Sequence, residues 1–105
     1  MNIETPNSLK IVGREYEVVK LQEYEDQVGG VDFESSVISL RAGQQKLLEC
    51  DTLIHEAVHV IDEIFQLELT ERQVFCTVAG LVALFRDNPT LFAYMHDALQ
   101  SPRKV

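Results

Sequence analysis

At 105 residues, 46% of them apolar and 25% charged, the chain has the composition of one globular domain of ordinary size rather than of two domains or a disordered segment. A formal charge of −8 and a pI near 4.7 weigh against a nucleic-acid partner, whose phosphate backbone is bound by clustered Lys and Arg, and no basic stripe is present. No apolar run is long enough to span a bilayer, the first residues lack the basic and apolar parts of a secretion signal, and Cys50 and Cys76 form no CxxC pair or disulfide framework; a cytoplasmic setting without membrane attachment is expected.

Residues 9–21 alternate apolar and polar side chains on both sides of Gly13-Arg14, which is a hairpin pattern. A polar stretch at 22–27 is punctuated by Gly29-Gly30. Val31 to Phe33 and Val37 to Leu40 then flank Glu34, Ser35 and Ser36 as a second hairpin, closed by Ala42-Gly43. Residues 1–43 are therefore expected to form a small antiparallel sheet of three to four strands.

From residue 44 to 65 the spacing becomes helical, with Leu53, Ala57, Ile61, Ile64 and Phe65 on one side of the wheel and His55, His59 and Asp62 on the other. A break at 66–69 leads to Thr70, whose hydroxyl and the amide of Gln73 three residues on make a capping box and open a second helix. That helix ends near Asn88-Pro89. A shorter helix over about 90–99 and a frayed tail complete the chain. Sheet first and helices second predicts one α+β domain over 1–105, mainly β to residue 43 and mainly α over 44–100, with the sheet packed on two longer helices and a short one.

The chemistry concentrates at His55-Glu56-Ala57-Val58-His59. Imidazoles at i and i+4 project from one helical face a turn apart and can grip one cation. Glu56, about 100° around the axis from His55, is placed to take a proton from water rather than to serve as a ligand. Glu71 shares the stripe of Val74, Phe75, Val78, Val82 and Phe85, where a buried carboxylate needs a partner such as zinc. Its bland alternative is a first-turn charge that suits the helix dipole. Asp62 lies about 10 Å along the axis from His55, too far to be a third ligand, and reads either as an acceptor orienting an imidazole N–H or as a surface charge. Cys50 and Cys76 are expected in the core. Tyr94 and His96 read as parts of an ordinary terminal helix, so no residue is assigned to stabilise a transition state. Leu81, Val82, Leu84 and Phe85 are expected in the core rather than in a dimer interface.

On the strand Val37-Ile38-Ser39-Leu40, the run Thr52-Leu53-Ile54-His55-Glu56-Ala57-Val58-His59, and Glu71 ahead of Val74 and Ala79, the segment 31–89 resembles a minimal zincin of the ImmA/IrrE-like metallopeptidase group, often encoded by bacteria, phages and mobile elements. The resemblance implies Zn2+ held by His55, His59 and Glu71, with Glu56 as general base acting on a protein or peptide substrate. Eleven residues separate His59 from Glu71, a shorter connection than in the better-known members, and the chain leaves little sequence for recognising a target. An inactive zincin-fold regulatory module is the alternative, and a metal-free interaction protein a third reading.

Overall fold

A computed structural model describes residues 3–22 and 27–103. The polar stretch at 22–27 and the tail fall partly outside the described residues.

The alternation around Gly13 folds as expected. Strand β1 (Ser8–Ile11) pairs antiparallel with β2 (Arg14–Leu21), with Ile11 opposite Arg14. Val12 and Gly13 make the two-residue turn, both at positive φ (49° and 82°), which is the primed geometry whose twist matches the flanking strands. Glycine reaches that region freely, whereas a β-branched valine enters it at a steric cost.

The second hairpin joins β3 (Gly29–Asp32) to β4 (Val37–Arg41), again antiparallel. Asp32 Oδ1 accepts the backbone N–H groups of Glu34 (3.0 Å) and Ser35 (3.2 Å), which bends the chain back on itself.

The sheet as a whole is mixed, not antiparallel. Its order is β1-β2-β4-β3, and the two inner strands run parallel, from Glu17 opposite Val37 to Leu21 opposite Arg41. After β2 the chain passes over the neighbouring position, descends as β3 at the edge, and returns as β4 in the vacant slot. Alternation along a strand specifies which face is buried, and that face is the same whether the neighbour runs parallel or antiparallel.

Tyr16, Ile38 and Leu40 project from one face of this sheet onto Val60 of α1 (Lys46–Phe65). Leu9, Ile11, Val18, Val31, Leu53 and Ile64 pack around them. The helix lies across β1, β3 and β4 on one side and against α2 (Glu71–Asp87) on the other. Its burial therefore centres on Thr52, Glu56 and Val60 rather than on the expected apolar stripe, and Ile61 and Phe65 stay exposed. Cys50, about 120° around the helix from Glu56, is exposed instead of lying in the core.

The connection to α2 is held by Asp62. Its backbone oxygen accepts from Leu67 (3.2 Å) and its Oδ1 from Leu69 (3.3 Å), while Gln66 and Glu68 take left-handed conformations. Thr70 and Gln73 then form the full capping box. Of α2, Val74 and Val78 are buried; Cys76, about 200° from Val74, is exposed, Leu84 is exposed, and Leu81, Val82 and Phe85 are only half-buried. The expected packing of that stretch into the core is thus incomplete. Helix α3 (Pro89–Gln100) starts with its proline at the first turn and packs on α2 alone, with no buried residue. None of the described helices is long and apolar enough to cross a membrane.

Candidate metal centre

Two imidazoles one turn apart on α1 and a carboxylate from the next helix meet where α2 begins beside the middle of α1. His55 Nε2 lies 2.8 Å from Glu71 Oε1, His59 Nε2 lies 3.2 Å from Glu71 Oε2, and the two Nε2 atoms are 3.2 Å apart. One helical turn aligns the imidazoles, whose centroids are 4.8 Å apart at 66°. The compact Asp62-bound connection and the capping box then set the first turn of α2 directly over them.

The separations suit one small cation. Tetrahedral coordination of a small cation at about 2.0–2.1 Å places ligand atoms about 3.3 Å from one another; the nitrogen pair and one nitrogen–oxygen pair stand at 3.2 Å and the other nitrogen–oxygen pair at 2.8 Å. His55, His59 and Glu71 together can therefore hold a metal ion.

Glu71 arrives by a different route from the one expected. It shares its face with Val78, but it stands in the first turn of α2, and its side chain is 71% exposed. The requirement that a buried carboxylate be paired does not apply to it. What remains is geometry: a carboxylate on the right face, one turn before Val74, reaching both imidazoles.

Glu56 is the buried member, at 7% exposure. It turns toward the start of β3, where its Oε2 is 3.2 Å from the point a Cβ on Gly29 would occupy. The same point is 2.6 Å from Thr52 Cγ2 and 3.1 Å from the carbonyl oxygen of Ser39. Thr52 is itself buried and fixed by its hydroxyl, which donates to Leu48 O at 2.8 Å. The absence of a side chain at Gly29 is thus what lets α1 settle on the sheet with Glu56 at this depth. Burial pushes the Glu56 carboxyl above the ordinary glutamate value; His55 and His59 pull it back, and Glu71 adds to the rise.

Sequence reasoning missed Gly29 and Thr52. Gly29-Gly30 is legible only as chain punctuation, and nothing local marks a glycine as the contact point of Thr52 and Glu56, far along the chain on a helix. Asp62 hydrogen-bonds the α1–α2 connection through its carboxylate rather than serving as an imidazole's acceptor. Tyr94 and His96 lie on α3, away from the cluster. Compared with protein-family models, with curated proteins and with solved structures, the chain matches none of them.

Proposed function

We propose that this chain is a zinc-dependent metallopeptidase of the ImmA/IrrE-like kind, hydrolysing peptide bonds in a protein or peptide substrate in the cytoplasm. The observation that carries the reading is the convergence of His55, His59 and Glu71 on one point beside a buried Glu56. Two imidazole nitrogens and one carboxylate oxygen suit zinc better than magnesium or calcium, which favour all-oxygen surroundings. Three protein ligands match the open site of a catalytic ion rather than the four of a structural one.

When bound, the ion supplies Lewis acidity and lowers the pKa of water toward neutrality. His55 and His59 would hold it from α1, and Glu71 would close the set from α2. Glu56 accepts a proton from the attacking water and returns it to the leaving amine, the part of a general base and then acid. Its burial favours this role, because a carboxylate removed from bulk water is the stronger base.

A second reading, a regulatory interaction module that keeps the metal without turnover, is favoured by the uncovered apolar side chains of α2 and α3. Hydrolysis of a peptide library by zinc-loaded wild type and Glu56→Gln separates the two. The peptidase reading predicts cleavage in wild type and a loss of at least roughly 100-fold in Glu56→Gln with zinc retained. Equal cleavage in both proteins would refute the assignment of Glu56, and none in either would leave the module.

A further inference from the structure

Helices α2 and α3 join the rest of the chain through a narrow attachment. Among the described residues neither touches a strand: α2 packs on α1, and α3 packs on α2. Of the 17 residues of α2 and the 12 of α3, only Val74 and Val78 are buried. The sheet, by contrast, is sealed to α1 by Tyr16, Ile38, Leu40 and Val60. Helices of this length draw their stability chiefly from a packed apolar face, so a pair of helices held by two valines belongs to the part of the molecule that opens first. The connection on which it would turn is short. Gln66 and Glu68 stand there at φ 51° and 58°, a left-handed region that residues other than glycine hold only where their surroundings fix them. The fixing comes from Asp62, which accepts the backbone N–H groups of Leu67 and Leu69.

The candidate ligands straddle this connection. His55 and His59 stand on α1 before it, and Glu71 is the first residue of α2 after it. Glu71 is not kept there by burial, since its side chain is 71% exposed; it reaches the imidazoles across the surface, at 2.8 and 3.2 Å. Fixing the first turn of a helix sets the direction of the turns that follow. We infer that α2 and α3 form a hinged arm whose closure on α1 is governed by metal occupancy, through Glu71. The inference rests on the metal centre proposed above and adds a regulation of it. A cation held by all three side chains would clamp the arm; with the arm open, only the two imidazoles would hold it. Such coupling is reciprocal: the factor by which Glu71 tightens the site is the factor by which the ion favours closure, typically about 5–150-fold for coupled sites. Opening would also bring Val74 and Val78 to the surface, so loss of the ion and exposure of an apolar stripe become one event.

The test is amide hydrogen exchange of the intact chain, resolved by segment with mass spectrometry, with and without Zn2+, the metal content being measured on the same samples. Without metal, α2 amides are expected to show at least roughly 10-fold less protection than those of β2 and β4. Saturating zinc then raises α2 protection at least about 10-fold. In Glu71→Gln, with zinc in enough excess to load the two imidazoles, α2 protection stays at its metal-free level. Zinc bound to the wild type with no change in α2 overturns the clamp and leaves the metal centre standing. No zinc in the wild type removes the metal centre, and the clamp with it. Equal protection of α2 and the sheet without metal means that the chain opens as one unit, which overturns the hinged arm. Zinc that protects α2 in Glu71→Gln as strongly as in the wild type overturns the part given to Glu71.

Discussion

Gly29→Ala adds one methyl group at the point where β3 meets α1. The new Cβ sits 2.6 Å from Thr52 Cγ2, 3.1 Å from Ser39 O and 3.2 Å from Glu56 Oε2. Thr52 cannot rotate away without losing its 2.8 Å bond to Leu48 O, and the Ser39 oxygen belongs to the sheet. Relief therefore requires α1 to lift by about 1 Å or Glu56 to swing outward, and overpacking of this kind costs about 1–3 kcal/mol. Gly29 does not have a positive φ, so alanine recovers about 0.5–1 kcal/mol by restricting the unfolded chain. A net loss of about 1–2 kcal/mol follows, or a Tm lower by roughly 5–10 °C for a domain of this size. Thermal and urea unfolding of the metal-free protein measure it. The nearest contact, Thr52 Cγ2, is absent in Thr52→Ser, which keeps the hydroxyl. In that background Gly29→Ala is expected to cost at least about 1 kcal/mol less, a coupling that a double-mutant cycle reads directly. A Gly29→Ala protein as stable as wild type, or the same cost in both backgrounds, would show that the close approach of helix and strand does not govern this position.

Two further substitutions test the frame around the site. Val12→Asn replaces a β-branched residue at φ 49° with one that tolerates the left-handed region; a gain of about 1 kcal/mol is expected, and a lower urea midpoint would contradict it. Glu49 accepts the Thr5 hydroxyl and lies 3.2 Å from Lys20 Nζ. The Thr5 bond lowers its carboxyl most, burial opposes, and Lys20 lowers it further. A depressed native pKa gives stability that is present above the unfolded value and lost as pH falls through the native one. Glu49→Gln is therefore expected to cost up to about 1 kcal/mol at pH 7 and progressively less below the ordinary glutamate range; a constant cost from pH 7 to 3 would refute the pairing.

Local signals carried far. Thr70 and Gln73 cap α2 as their spacing predicts, Gly13 turns the first hairpin, and His55 and His59 share a face because a helix places i and i+4 together. Contacts between distant segments were less legible. The parallel pairing of β2 with β4 depends on which slot the chain skips, and alternation is silent on that. Glu56 is buried because Gly29 admits it, although the wheel of α1 drew the apolar face elsewhere. Glu71 departs from the buried position that its stripe predicts. Its carboxylate meets both imidazoles of α1, but in the first turn of α2 it stays 71% exposed, so the expected burial does not follow. Cys50, Cys76 and Leu84 mark the same limit, since hydrophobic character predicts burial only where another element arrives to provide it.

The most direct test of the central claim is zinc per chain, by elemental analysis of tag-free protein dialysed against dilute zinc and then metal-free buffer, with His55→Ala and Glu71→Ala alongside. About one zinc in wild type, none in His55→Ala and a clearly weakened hold in Glu71→Ala is the predicted result, because removing one of three ligands opens the set. No zinc in wild type, or equal zinc in all three proteins, would contradict a metal centre at His55, His59 and Glu71.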